Sequence, residues 1–150
     1  MLTVSDSRDP ASDVSGPAIR QALEAEGLDV FDQRIVPDEA GAIGACLREW
    51  LGGEGCDGVI VTGGTGVAPR DRTPETLAAL YETRLDGFGE AFRALSFEEI
   101  GPRAMLSRAS AGIVSGKPVF SLPGSPAAVR LGLTRVILPV LPHLLGQLSS

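Results

Sequence analysis

Short apolar runs alternate with longer amphipathic segments along this chain, and the two patterns predict strands and helices in turn. Short, mostly apolar runs between polar or glycine-rich segments are typical of buried strands. Five runs fit this description: Met1–Val4, Leu28–Val36, Gly58–Val61, Ala111–Val114 and Val119–Leu122. The last two are joined at Ser115-Gly116, which favours a hairpin turn. The brevity of the first run suggests that residues preceding it are missing.

The segments between these runs carry apolar residues at helical spacing. Ile43, Leu47 and Trp50 fall at i, i+4 and i+7, a stripe that predicts a helix face packed against the core. Five helices are predicted, and they begin near these residues: Gly16, Pro37, Thr73, Gly87 and Ser125. Thr73 is expected to cap the third helix. Pro139 and Pro142 are expected to interrupt the last one, because proline removes a helical hydrogen bond.

Strands that alternate with helices predict an open α/β sheet with helices on both faces, formed by a single domain over residues 1–150. In such sheets ligands bind beyond the carboxyl ends of the strands. The loops that follow the first, second, third and last predicted strands are therefore where a binding site is expected.

The charge of the chain limits its partners. The net charge is −6 and the isoelectric point is about 4.7, so nucleic-acid binding is not expected, because it requires a basic surface. No apolar window of about 18 residues and no signal peptide are visible, which predicts a cytoplasmic protein without a membrane span. Cys46 and Cys56 are expected to be reduced thiols. His143, the only histidine, is expected at the surface.

The strongest local signal is a glycine loop, TGGTGVAPRDRTPE, between the third predicted strand and the helix that follows. Gly63, Gly64 and Gly66 permit backbone angles that other residues rarely adopt and leave no Cβ between the chain and a ligand. Together with Thr65 they could present successive N–H groups to an anion. The segment matches neither the dinucleotide fingerprint nor the P-loop. Glycines alone would indicate an ordinary turn, but the arginine, aspartate and Thr-Pro pair that follow make the segment more specific.

Two aspartates beside this loop have both a structural and a functional interpretation. Asp71 stands just before a helix, where a carboxylate complements the helix dipole. It could also hold Mg²⁺ beside bound phosphates, because that ion prefers one or two carboxylates together with phosphate oxygens and water. Asp38 follows the second predicted strand, and taken alone it is expected to cap the next helix. The sequence does not show that the two side chains converge.

Polar residues at other loop-to-helix junctions could face a ligand at the same rim. Such junctions present N–H groups to anions, although ordinary helix caps are more common. The candidates are Ser5, Asp6, Ser15, Pro123, Gly124 and Ser125. Farther along, Arg103 and Arg108 flank Ser107, and two guanidinium groups with a hydroxyl could hold a phosphate.

Seven sequence blocks cover nearly the whole chain. They are LTVSDSR, DVSGP, VPDE, TGGTG with PRDRTPE, GFGEAFR, FEEIG with MLSRASAGI, and LPGSP. In this order and spacing they resemble the MoaB/MogA family of molybdenum cofactor biosynthesis, and the FEEIG block is more similar to MoaB than to MogA. Seven ordered blocks are far harder to explain by chance than a single motif.

The resemblance implies a three-layer α/β/α fold, with a mostly parallel sheet and a small hairpin at one edge, assembled as trimers or hexamers. It also implies the transfer of AMP from Mg-ATP to the terminal phosphate of molybdopterin, with release of pyrophosphate. By position, Asp38 and Asp71 would be the catalytic carboxylates linked to Mg²⁺. The residues that face phosphate and nucleotide would be Ser5, Asp6, Gly63, Gly64, Thr65 and Gly66. The molybdopterin side would be formed by Ser15, Ser107, Arg108, Pro123, Gly124 and Ser125.

Two alternatives remain open from the sequence. The chain could bind molybdopterin in the same pathway without transferring AMP, since some members of the family are non-catalytic. It could also be a nucleotide-acting enzyme of the CinA type on the same fold, although the sequence of the glycine loop counts against this. Retention of both Asp38 and Asp71 favours the transferase.

Overall fold

The strands form one six-stranded sheet in the computed structural model, which describes residues 1–150. They are β1 Leu2–Val4, β2 Arg34–Val36, β3 Val59–Thr62, β4 Thr83–Arg84, β5 Ser110–Val114 and β6 Lys117–Leu122. Their order in the sheet is β2-β1-β3-β6-β5-β4. The first four strands of this order are parallel, whereas β5 pairs antiparallel with β6 and β4 pairs antiparallel with β5. The predicted open, mostly parallel sheet with a hairpin at one edge is confirmed.

Helices cover both faces of this sheet, in agreement with the predicted three layers. They are α1 Ser15–Ala25, α2 Ala40–Gly52, α3 Thr73–Leu80, α4 Asp86–Ile100, α5 Pro126–Gly132 and α6 Leu138–Leu148. A 3₁₀ helix at Gly101–Leu106 extends α4, and a π-helical turn at Leu133–Ile137 joins α5 to α6.

Each face of the sheet has its own hydrophobic core. The core beneath α2 and α3 contains the predicted stripe and a residue of α3: Ile43, Leu47, Trp50 and Leu77. The core beneath α1, α4, α5 and α6 contains Ile19, Phe88, Phe92, Val129 and Ile137. Val59 and Val61 of β3 enter the first core and Ile60 enters the second, because successive side chains of a strand point to opposite faces.

The lengths of β2 and β4 differ from what the apolar pattern predicts. A strand was expected over Leu28–Val36, but only its last three residues are β2, because its one neighbour, β1, pairs from Leu2 to Val4. β4 was not predicted at all. Its two residues pair with Ile113 and Gly112 of β5 and are exposed, so they leave no apolar run in the sequence.

The predicted interruption of the last helix at its prolines is wrong. Residues Pro126–Leu148 form one continuous helix with a π-helical turn before α6. In this turn Leu138 N donates to Leu133 O, five residues back. The wider turn gives the ring of Pro139 room that a regular α-helix lacks, because a helical proline otherwise clashes with the carbonyl four residues earlier.

This continuous helix is long and apolar enough to cross a membrane by length and composition, which the apolar windows of the sequence did not indicate. Its residues Val129, Ile137 and Leu141 are buried in the core. The core helix of a soluble protein passes the same test, so the segment is weak evidence for a span.

Tyr81, the only tyrosine of the chain, packs the segment after α3 against β5, and its pKa can be used to measure this packing. Its ring lies against Gly112, and its hydroxyl is hydrogen-bonded to Ser110 Oγ at 2.9 Å. Burial raises the pKa of Tyr81 to about 12.

We expect absorbance titration of the folded protein to show one tyrosinate transition of Tyr81 near pH 12. Stability should fall as the pH rises from the ordinary value of 10.0 to about 12, because in this range the unfolded chain has lost the tyrosine proton and the folded protein keeps it. A transition near the ordinary value of 10.0 would contradict the packing.

Candidate functional site

Loops meet at the carboxyl ends of β1, β2, β3 and β6, because these strands are parallel neighbours. Backbone hydrogen bonds join the loops directly. Ser5 N donates to Val36 O at 2.9 Å, and Gly63 N donates to Leu122 O at 3.0 Å. The structure therefore brings together at one rim the loops in which the sequence predicts a site.

The glycine loop turns back on the protein directly after β3. Gly63 has a φ of 93° and Gly64 a φ of 65°, values that residues with a side chain rarely adopt. A Cβ on Gly63 would collide with Val4 O, and one on Gly64 would collide with Thr73 Oγ1. The fold of the loop itself thus requires both glycines, which confirms the backbone angles expected from the sequence; the close approach of a ligand stays a prediction.

Asp38 ties the loop after β2 to the start of α3. The residue is 9% exposed, and its Oδ1 accepts a hydrogen bond from Arg72 N at 3.0 Å. Its expected role as the cap of its own helix is wrong, because α2 begins at Ala40 after Glu39, which makes no side-chain cap bond. Asp38 instead satisfies an N–H at the start of the neighbouring helix. Thr73, which was expected to cap α3, is buried and its hydroxyl has no hydrogen-bond partner.

Asp71 closes the far end of the glycine loop and does not cap a helix. Its Oδ2 accepts a hydrogen bond from Ala68 N at 2.8 Å, and Arg72 separates it from α3. A Cβ on Gly66 would lie 2.7 Å from the same Oδ2. Glycine at this position therefore leaves room for the Asp71 carboxylate.

The two aspartates lie close enough to influence each other, which the sequence did not show. Burial raises the pKa of Asp38, the hydrogen bond from Arg72 lowers it, and the negative charges of Asp71 and Asp6 raise it further. No group of three or more His, Cys, Asp or Glu side chains is arranged to hold a metal ion. Asp38 and Asp71 could bind Mg²⁺ only together with phosphate oxygens and water, which is the ligand set that this ion prefers.

Ser5 and Asp6 organise the loop after β1 through internal hydrogen bonds. Asp6 Oδ1 accepts from Asp38 N at 3.0 Å, and Asp6 Oδ2 accepts from Arg70 Nε at 2.7 Å. The Arg70 guanidinium holds the pKa of Asp6 below its usual range. Ser5 Oγ accepts two backbone N–H bonds from the turn that follows it. Their contact with phosphate stays a prediction, and Arg70 is a residue at this rim that the sequence did not assign to the site.

The turn after β6 is held against the loop after β1 and the start of α1 by two partly buried hydrogen bonds. Gly124 O accepts from Ser15 Oγ at 3.0 Å and from Arg8 Nη1 at 3.1 Å. Because the Ser15 side chain is fully buried and its hydroxyl is used in this way, its predicted direct contact with a pterin does not fit the structure. Ser15 supports the turn instead. Ser125 Oγ accepts from Ala128 N and caps α5.

Arg108 was expected to hold a phosphate together with Arg103 and Ser107, and its hydrogen bonds show a different role. Its guanidinium donates to Gly66 O at 2.8 Å and to Asp71 O at 3.2 Å. Arg103 is exposed on the 3₁₀ helix and its side chain makes no hydrogen bond. The two arginines therefore do not form a common phosphate site.

Two cavities open on either side of the glycine loop. The smaller one, of about 290 Å³, lies between the loop, α4 and the turn after β6. It brings together many of the predicted site residues: Gly64, Thr65, Gly66, Asp71, Ser107, Pro123, Gly124 and Ser125. The larger one, of about 660 Å³, lies between the start of α2 and α3. Among its lining residues are Asp38, Arg48, Arg70, Arg72 and Glu75. The segment from the glycines to the start of α3 thus lines both cavities, the smaller one through Gly64, Gly66 and Asp71 and the larger one through Arg70 and Arg72.

Known proteins resemble this chain over its whole length. A family described as "Probable molybdopterin binding domain" matches residues 1–143. The molybdenum cofactor biosynthesis protein B of Staphylococcus aureus (strain Mu50 / ATCC 700699) is 47% identical over 153 residues, which cover 100% of this chain and 90% of that protein. A crystal structure of molybdenum cofactor biosynthesis protein B has a TM-score of 0.96 at 41% identity, covering 99% of this chain and 92% of the other. The crystal structure of the tungsten cofactor synthesizing protein MoaB from Pyrococcus furiosus matches with a TM-score of 0.88 at 40% identity. The match covers 99% of this chain and 94% of that one.

The fold and these matches define an α/β protein of the molybdopterin-binding class. Within that class the chain belongs to the MoaB/MogA family of molybdenum cofactor biosynthesis. The family expected from the seven sequence blocks is therefore confirmed, and so is the fold that the resemblance implied.

The replacement Asp38→Asn tests whether the buried charge of Asp38 lowers the stability of the folded protein. Asparagine keeps an oxygen that can accept from Arg72 N, so the cap on α3 should survive. Because burial raises the pKa of Asp38, its ionised form lowers stability at neutral pH, and this cost disappears as the pH falls below the ordinary value of 3.8. We expect a higher melting temperature for Asp38→Asn at neutral pH and no difference at acidic pH. A variant that is less stable than wild type at neutral pH would contradict this account.

Proposed function

We propose that this protein transfers the AMP group of Mg-ATP to the terminal phosphate of molybdopterin. The observation that carries the proposal is the placement of Asp38 and Asp71 at one glycine loop with a cavity on each side. Two phosphate-bearing substrates need adjacent spaces and a shared centre that stabilises negative charge between them. The two cavities would supply the adjacent spaces and Mg²⁺ at Asp38 and Asp71 would supply the positive centre, in a chain whose family acts in molybdenum cofactor biosynthesis.

In the proposed reaction an oxygen of the pterin phosphate attacks the α-phosphorus of ATP. A new P–O bond forms, the bond to the bridging oxygen of the β-phosphate breaks, and pyrophosphate leaves with that electron pair. Mg²⁺ held by Asp38 and Asp71 would supply positive charge to the phosphate oxygens. The glycine loop would orient those oxygens through its N–H groups. We assign molybdopterin to the smaller cavity, beside Ser107 and Gly124, and ATP to the larger one.

The charges around the site support a dependence on metal. Arg8, Arg70 and Arg108 at the rim already donate hydrogen bonds to groups of the protein. The chain as a whole carries a net charge of −6. Arg48 and Arg72 line the larger cavity, so neutralisation of a bound triphosphate would depend on these two guanidinium groups together with Mg²⁺ and backbone N–H groups.

A second candidate is a protein of the same pathway that binds molybdopterin without transferring AMP. The observation that favours it is the smaller cavity, which joins Ser107, Gly124 and Ser125 to the glycine loop without any contribution from Asp38. Such a protein would bind the pterin equally well with and without Mg-ATP and would form no product. The two candidates therefore differ in a measurable reaction.

We also propose that the protein acts in the cytoplasm as a closed homotrimer or a pair of trimers. An exposed apolar patch at the end of α4 and on the 3₁₀ helix supports association. It consists of Phe97, Ile100, Met105 and Leu106. Contiguous exposed apolar residues mark surfaces that bind other proteins, and homo-oligomers favour closed symmetry.

The replacement Asp71→Asn tests the proposed reaction. Asparagine can still accept the hydrogen bond from Ala68 N, but it removes the charge that Mg²⁺ needs. We expect single-turnover adenylylation at saturating Mg-ATP to fall roughly a hundredfold or more. Affinity for molybdopterin and the melting temperature should change little. The matched control is Asp57→Asn, an exposed aspartate just before β3 at the opposite end of the sheet, which should keep full activity.

Two results would count against these assignments. Full activity of Asp71→Asn would show that the Asp71 carboxylate does not serve the metal. A wild-type protein that binds molybdopterin but forms no adenylylated product from Mg-ATP would contradict the transferase and favour the non-catalytic binder.

The replacement Met105→Glu tests the proposed assembly. Met105 is 74% exposed and is the most exposed residue of the apolar patch, so a carboxylate there would be buried without a partner in an oligomer. We expect light scattering to show a trimer or hexamer for wild type and a smaller species for Met105→Glu. Val140→Glu, at an exposed apolar position of α6, is the control and should leave the assembly unchanged. A wild-type monomer at every concentration would contradict the proposal.

A further inference from the structure

Arg108 is bound to the glycine loop and to the helix after it through both its backbone and its side chain. Its backbone N donates to Thr65 O at 3.0 Å. In the side chain, Nε donates to Gly66 O at 2.8 Å and Nη2 donates to Asp71 O at 3.2 Å. The remaining nitrogen, Nη1, forms an ion pair with Glu75 in the first turn of α3.

We propose that Arg108 is a positioning residue, which fixes the Asp71 carboxylate through the backbone of the glycine loop, and that Glu75 holds its guanidinium in the required orientation. The inference rests on the proposed function, because it is there that Asp71 takes part in the reaction. It replaces the direct contact with phosphate that the sequence predicts for Arg108.

The loop between Gly66 and Asp71 has few other constraints on its position. It contains no helix or strand. Within it, Ala68 N donates to Asp71 Oδ2 at 2.8 Å and Asp71 N donates to Ala68 O at 2.9 Å. These two bonds shape the turn but do not attach it to the rest of the protein. Arg108 attaches both ends of the turn, and Arg70 attaches it to the loop after β1.

The geometry of a guanidinium group explains why an arginine stands at this position. Its three nitrogens donate in fixed directions within one plane. At Arg108 each nitrogen has a different acceptor, and two of these acceptors are carbonyl oxygens at opposite ends of the same turn. The ammonium group of a lysine also has three donors, but they radiate from one nitrogen, so they cannot occupy the three separate positions from which Nε, Nη1 and Nη2 reach their acceptors.

Arg108 also connects the two cavities. It follows Ser107, which lines the smaller cavity, and its partner Glu75 lines the larger one. Loss of the guanidinium would loosen the wall between the cavities while leaving most of the other lining side chains of each in place. The expected effect is therefore on the alignment of the two bound substrates, and so on kcat, more than on the affinity for either of them.

The test compares Arg108→Lys and Glu75→Gln with the control Arg103→Lys, which changes an exposed arginine without hydrogen bonds in the same segment. We would measure kcat, the KM for Mg-ATP and for molybdopterin, and hydrogen exchange of residues 66–71. For Arg108→Lys we expect kcat to fall about tenfold or more, each KM to stay within about twofold, and exchange in the loop to become faster. Glu75→Gln should change kcat and exchange in the same direction by a smaller factor, and the control should match wild type.

A tenfold rise in the KM of either substrate with unchanged kcat and unchanged exchange would overturn the proposal and assign Arg108 to direct phosphate binding. Wild-type kcat and exchange in both variants would overturn it as well. If Arg108→Lys does not fold, as judged by circular dichroism, Glu75→Gln carries the test with the same measurements. If the wild type forms no adenylylated product, the proposed function fails on its own, and hydrogen exchange alone decides whether Arg108 positions the loop.

Discussion

The close approach of the glycine loop to β1 and to α3 is the contact on which the rest of the site depends. The space that a side chain would need at Gly63 is taken by Val4 O, and at Gly64 it is taken by Thr73 and Asp38. Because the loop can pass so near these groups, the carboxylate that follows β2 reaches the start of a helix that follows β3. A larger residue at Gly64 would displace Asp38 and the beginning of α3 together.

The site of this acidic protein is built from paired charges. Arg70 pairs with Asp6, and Arg108 pairs with Glu75, so the basic groups at the rim hold loops in place. Asp38, in contrast, forms no ion pair; burial raises its pKa, and the negative charges of Asp71 and Asp6 raise it further. Such an unpaired buried carboxylate is unfavourable for stability. It lies at the point where a cation bound with phosphate would compensate its charge, which links the instability of the site to its proposed chemistry.

The sequence by itself determined the order of the helices and of every strand except β4, the core stripe of Ile43, Leu47 and Trp50, and the family. These properties are local, because periodicity depends on neighbouring residues and a family motif is read along the chain. The sequence also located the rim of the site, since the carboxyl ends of parallel strands share one edge of a sheet. The hairpin at Ser115 and Gly116 was predictable for the same reason, as its positive φ angles belong to the turn itself.

Only the tertiary structure decided which polar side chains face a cavity and which support the loops. Ser15 donates to a carbonyl 109 positions away, and Arg70 donates to a carboxylate 64 positions away. A local pattern cannot distinguish such a support from a ligand contact, because both use the same polar residue at the same loop. The length of β2 was decided in the same way, by the three residues of β1 with which it pairs. Interactions between segments that are distant in sequence form only when the chain folds, and here they set the roles of Asp38, Asp71 and Arg108.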